Sequence, residues 1–193
     1  MELSPKLYQF LVRPRWLAKI YIDNIISSSF DLQNKTVLDF GSGTGCCCTM
    51  CSPNNYLGVD IDRQRVNYAR RLHPDYSFAV LQENRLPVPE NSVDYILIVA
   101  VLHHIPSANL PVYLQDYHRV LKPHGKILVM EPCFDLRYPF RNQFMGIFDK
   151  GKYIRQEPEY LALFERELFR TKVIKRYQKL LYNELFFLAT PKY

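Results

Sequence analysis

Short, mostly apolar runs recur from residue 35 to residue 131, and stretches suited to helices separate them. The runs are 35–40 (KTVLDF), 55–60 (NYLGVD), 76–81 (YSFAVL), 93–102 and 126–131 (KILVME). Between them, 46–51, 62–72 and 108–121 suit helices, the last placing Leu110, Val112, Leu114, Tyr117, Val120 and Leu121 in a broadly helical pattern. The strand-like runs do not alternate apolar with polar residues, so both faces of each are expected to be covered. That requires a parallel sheet with helices on either side, an α/β doubly wound fold.

The flanks read differently. Residues 3–12 and 15–27 read as two helices broken at Pro14, so that 1–30 forms an N-terminal helical segment. Residues 132–157 read as irregular and rich in aromatic and basic side chains, and 158–169 as a helix. Two further strand-like runs, 171–179 and 182–190, are joined only by Leu180 and Leu181, which permits an antiparallel hairpin and nothing else. The expectation is a mostly parallel, seven-stranded sheet with one antiparallel strand in the edge region, in a single domain over 1–193.

A length of 193 residues suits one domain with a substantial core. The longest apolar run, 95–102, falls far short of the roughly 18 residues a membrane-crossing helix needs. The N-terminus has no basic stretch followed by an apolar one, and the 5 cysteines (Cys46, Cys47, Cys48, Cys51 and Cys133) are odd in number and mostly adjacent. A secreted disulfide framework is therefore not expected, nor a metal site, and the chain reads as cytoplasmic. The net charge of +6 is localised: residues 1–136 hold 13 basic and 13 acidic side chains, whereas 137–193 hold 12 and 6. Such a basic surface attracts acidic substrates, nucleic acids or anionic membranes.

The glycine loop is the most specific feature. Asp39-Phe40-Gly41-Ser42-Gly43-Thr44-Gly45 follows the first strand, where open α/β sheets bind ligands. A dinucleotide site calls for G-x-G-x-x-G; here the spacing is G-x-G-x-G, and Cys46 stands at the last position. Asp39 would sit awkwardly beside a pyrophosphate but suits an amine. Asp60 ends the second strand, where a carboxylate can take both hydroxyls of a ribose. Amine, ribose and glycine loop together describe S-adenosylmethionine better than NAD.

At these residues the chain resembles the class I S-adenosylmethionine-dependent methyltransferases, in particular the small-molecule branch called type 11. The landmarks are VLDFGSGTG (37–45), GVDID (58–62), LPVPENSVDYI (86–96), and LHHI (102–105) followed by HRVLKPHGKILVMEP (118–132). The resemblance implies a Rossmann-like methyltransferase fold, with S-adenosyl-L-methionine as cofactor and S-adenosyl-L-homocysteine as product. It implies that Gly41, Ser42, Gly43 and Gly45 cradle the methionine part, with Asp39 orienting the loop or the amine. Asp60 would bind the ribose, Ile61 would lie against the adenine, and the backbone of Ala100 would line the sulfonium. Where the family usually has an acid to read the adenine, this chain has Gln82, followed by Glu83 and Asn84.

Candidate acid–base groups for the transfer are His104, Glu131 and His103. The acceptor is expected to be a small molecule, aromatic or anionic, enclosed by the N-terminal helices (Trp16 and Tyr21 included) and a lid over 132–160. Two other readings stand beside this one: methylation of RNA, drawn by the basic C-terminal third, and a catalytically silent cofactor-binding module.

Overall fold

The computed structural model describes residues 22–82, 85–149 and 151–192. The helices expected over 3–12 and at the start of 15–27, with Trp16 and Tyr21, lie outside the described residues; the end of the second is present as α1 (Asn24–Ser27). The chain divides into two compact units, 1–83 and 84–193.

In the first unit, β1 (Val37–Phe40), β2 (Tyr56–Asp60) and β3 (Ser77–Val80) form parallel ladders in the order β3-β2-β1. Every residue of β1 is buried, as its unbroken apolar run requires. Helix α2 (Arg63–Leu72) buries Val66 and Ala69, and Arg70 binds it to β3 by donating twice to the Phe78 carbonyl, at 3.0 and 2.7 Å. The helix expected over 46–51 is a single tight turn, Cys48–Met50. A turn this short suffices because the cysteines pack inward one by one: Cys47, Cys48 and Cys51 are all buried.

In the second unit, β4 (Val93–Val99) pairs in parallel with β5 (Leu121–Phe134). Between them lies α3 (Leu110–Val120), which buries Leu110, Leu114, Tyr117 and Val120. After β5 come α4 (Pro139–Phe148), a two-residue strand β6 (Arg155–Gln156) on the end of β5, and α5 (Glu157–Arg166). Helix α5 starts on a capping box in which Gln156 and Glu159 each bond the other's backbone. The expected hairpin is present as β7 (Phe169–Lys179) and β8 (Tyr182–Pro191). The antiparallel strand is β8, seated between β5 and β7, so the chain runs out to the edge before it turns back. Phe164, Phe169 and Phe187 lock α5 onto this sheet, with ring centroids 6.0 and 5.3 Å apart in edge-to-face pairs.

The irregular segment expected over 132–157 is instead largely regular, with α4 at its centre. Strand β6 is an eighth strand that the sequence does not announce.

Candidate functional site

In the first unit, β1 ends in the glycine loop. Gly41 and Ser42 donate their N–H groups to the Val59 carbonyl at 2.8 and 3.0 Å, which ties the loop to β2. Gly43 adopts φ 56°, a left-handed corner that other residues resist, and donates its N–H to Asp60 Oδ2 at 2.8 Å. Asp60 Oδ1 accepts from the Asp62 N–H at 2.8 Å, so one buried carboxylate braces both the loop and the approach to α2. The cap of α2 is Asp62, whose Oδ1 accepts from the N–H groups of Gln64 and Arg65. Asp39 lies beneath, accepting from the Tyr56 hydroxyl at 2.6 Å. Burial first, and then the Asp39 carboxylate, push the Tyr56 phenol well above its ordinary range.

The loop is packed on one side and open on the other. A Cβ at Gly45 would stand 2.7 Å from Phe78 Cζ, and one at Gly58 2.6 Å from Phe78 Cδ1 and 2.8 Å from Ser42 Oγ. A Cβ at Gly43 would meet nothing within 4 Å. The Ser42 hydroxyl is buried and finds no hydrogen-bond partner among the described residues. Ile61, next to Asp60, is 77% exposed, and Gln82 is exposed as well. Glu83 and Asn84 lie outside the described residues.

In the second unit, Ala100 leaves β4 with φ 54°, a strained corner for a residue with a Cβ, while its N–H donates to the Met130 carbonyl at 2.8 Å. The turn that follows is organised by Glu131, which is fully buried at the end of β5. Its carboxylate accepts from the N–H groups of Val101, Leu102 and His103 at 2.7, 2.8 and 3.3 Å, and pairs with His103 Nδ1 at 2.7 Å. With a carboxylate as its partner, Nδ1 carries a proton. Nε2 of the same ring lies 3.6 Å from Asp149 Oδ1. His104 is exposed, its ring centroid 4.1 Å from that of His103.

Gly151, which the sequence did not single out, and Arg155, one of the arginines of the 132–160 segment, hold this turn. Gly151 packs so closely that a Cβ there would come within 1.9 Å of His103 Cδ2. Arg155, also buried, donates to the carbonyls of Leu102, Tyr153 and Ile105 at 2.9, 3.0 and 2.7 Å and to the Ser107 hydroxyl at 3.2 and 3.0 Å. A glycine between charged residues hints at close packing, but nothing in the sequence marks Arg155 among the basic residues around it.

Beyond β5, a groove of about 340 Å³ opens between residues 133–138, the start of α5, and β7 and β8. Phe134, Tyr138 and Tyr177 give it an aromatic wall, and two ion pairs, Arg137 with Asp135 and Arg176 with Glu157, lie along it. Burial chiefly pushes the Cys133 thiol at its base up to about 12. Among the described residues, no group of three or more histidine, cysteine and carboxylate side chains is placed to hold a metal ion.

Comparison with known proteins adds to this geometry. Residues 38–129 match the family described as "Methyltransferase domain". Over 114 residues the chain is 30% identical to the fatty-acid O-methyltransferase of Mycolicibacterium smegmatis, covering 55% of this chain and 41% of that protein. Over 115 residues it is 33% identical to the demethylmenaquinone methyltransferase of Tropheryma whipplei, covering 56% and 47%. The chain thus spans less than half the length of either. In fold it is similar to a crystal structure of a SAM-dependent methyltransferase from Archaeoglobus fulgidus, with a TM-score of 0.76 at 14% identity over 97% of this chain and 99% of the other. Likeness at that identity speaks for the Rossmann-like architecture alone, and the family match covers residues 38–129 within it. In sequence over residues 38–129 and in fold over nearly its whole length, the chain is similar to the S-adenosylmethionine-dependent methyltransferases.

Proposed function

We propose that this protein transfers a methyl group from S-adenosylmethionine to a small, largely apolar acceptor. The observation that carries the reading is the glycine loop: a left-handed corner at Gly43 with an open face, its N–H held by the Asp60 carboxylate. Gly41, Ser42, Gly43 and Gly45 then hold the methionine part through their backbone, and Asp39 fixes the loop beneath it. Asp60 keeps lone pairs beyond the two amides it already accepts, enough for ribose hydroxyls. Exposed Ile61 offers an apolar surface to an adenine, with Gln82, Glu83 and Asn84 as the polar readers of its edge.

The cofactor, when bound, supplies a methyl group already activated as a sulfonium. The chain must bring a nucleophile into line and exclude water. Strained Ala100 is placed by this reading to present backbone to the reacting centre. Enclosed by its four donors, Glu131 acts as a positioning residue for the turn, and His103 is held between Glu131 and Asp149. Exposed His104 is then the group proposed to take a proton from a protonated acceptor. The names of the two relatives concern a fatty acid and a quinone precursor, and the aromatic groove beyond β5 suits an acceptor of that amphipathic kind. The segment 132–160 serves as its lid, and the chain 1–193 works as one methyltransferase domain.

Calorimetric titration with S-adenosylhomocysteine tests the reading. The wild-type chain should bind, and Gly43→Val, whose side chain fills the open face, should lose binding by far more than threefold, about 0.7 kcal/mol. Its circular dichroism should stay unchanged. Binding within threefold of wild type would remove this loop as the cofactor site.

A further inference from the structure

Helix α4 buries Met145 and leaves its other face in solvent. On that face Phe140, Ile147 and Phe148 are 69, 67 and 66% exposed. Leu136, just before the helix, is 78% exposed, and Leu180, at the tip of the β7–β8 hairpin, is 71% exposed. Hydrogen bonds gather these into one patch. Asn142 bonds Asp135 in both directions, at 3.0 and 2.9 Å, which holds the approach to Leu136 against α4. Arg141 donates to the Leu180 carbonyl at 2.6 Å, which holds the hairpin tip against the same helix.

The tip itself is unusual. A two-residue hairpin loop favours Asn, Asp or Gly at its first position, because that residue takes a positive φ. Here Leu180 takes that conformation, at φ 53°, and points into solvent. The turn is strained, and its apolar side chain is exposed as well; such a pairing persists where the side chain has something to meet. The segment that carries α4 and the hairpin is also basic: residues 137–193 hold 12 basic against 6 acidic side chains, which accounts for the whole net charge of the protein. Arg137 is exposed beside Leu136, with its guanidinium held by Asp135 through Nε and Nη2.

We propose that this patch docks on an anionic lipid bilayer. The apolar side chains of α4 and the hairpin tip enter the boundary between headgroups and acyl chains, and the surrounding lysines and arginines lie among the headgroups. Among the described residues no helix is long and apolar enough to cross a membrane, so the contact is a surface one. On the reading given under the proposed function, which this clause alone rests on, an acceptor dissolved in the bilayer would reach the groove beside residues 133–138 without crossing water.

Vesicle flotation tests the proposal, using phosphatidylcholine alone or mixed about equally with phosphatidylglycerol. The full chain should float with the anionic vesicles and much less with the neutral ones, and raising salt from about 0.05 to 0.5 M should weaken the binding. The double variant Phe140→Ser/Ile147→Ser should bind the anionic vesicles about tenfold more weakly while keeping its melting temperature. S-adenosylhomocysteine affinity is measured on the same samples, so a failure of cofactor binding and a failure of docking are seen separately. Absence of wild-type binding to anionic vesicles would overturn the proposal, as would equal binding by the double variant. Two further results would overturn it in favour of another partner: self-association lost in the double variant without vesicle binding, or salt-dependent binding of an RNA oligonucleotide that the double variant retains.

Discussion

Asp60 and Asp62 stand two residues apart at the approach to α2. The structure separates them: Asp62 receives the two N–H groups at the start of α2, whereas Asp60 reaches back to the Gly43 amide. Their variants should differ accordingly. Asp60→Ala should weaken S-adenosylhomocysteine binding more than tenfold, since charge-assisted contacts are worth about 1.5–3 kcal/mol each. Asp62→Ala should instead cost about 1 kcal/mol of stability, the usual worth of a cap, and leave affinity nearly unchanged. Calorimetry and denaturant titration on the two proteins decide this, and a reversed pattern would assign the ribose role elsewhere. An acid at the end of a strand was legible as a candidate because its position alone suggests the role. The engagement of Glu131 by three successive amides was not, because it depends on how β5 meets the turn after β4.

Among the elements, the strands and the hairpin could be read directly, since burial on both faces leaves unbroken apolar runs such as that of β1. Helix α4 could not. Its Phe140, Ile147 and Phe148 face solvent, so the usual rule that apolar residues mark the buried stripe points the wrong way. Pro139 at the first turn, Asn142 and Gly146 weaken the helical signal further. Strand β6 is two residues long and is recognisable only by its partner. It matters nonetheless because it carries Arg155, whose guanidinium is spread over the turn at 102–107. Arg155→Leu would leave those buried carbonyls without donors, and should cost about 2–4 kcal/mol in equilibrium unfolding. If His104 is the acid–base group, the same variant should lower kcat and leave cofactor affinity unchanged. Full activity at normal stability would show that the turn holds without it.

For the whole molecule, the buried ionisable groups predict how stability varies with pH. Burial is the leading cause that raises the thiols of Cys51 and Cys133 and the phenols of Tyr56, Tyr117 and Tyr160. In the unfolded chain these groups lose protons over the ordinary range, about 8.5–10, whereas the folded chain keeps them. The unfolded state then binds fewer protons, so the stability these groups contribute is intact below that range and declines as pH rises through it. Melting temperature should therefore hold to about pH 8 and fall steadily above pH 9, where a flat profile to pH 11 would show the groups to be open to solvent. The same burial explains why the sequence reads so well at this scale: a chain that hides its apolar runs on both faces of a sheet has few other ways to do so.

Arg155 has a consequence for how the chain is made. Its guanidinium reaches back 48 residues to Ser107 and 53 to Leu102. Closing a loop of that span carries an entropic cost that nearer contacts do not, and such contacts form late. On the ribosome, β4, α3 and β5 emerge and can pair while Arg155, which also holds the histidine turn, has yet to emerge. The turn bearing His103 and His104 is therefore fastened in two stages, first by Glu131 as β5 pairs with β4 and then by Arg155.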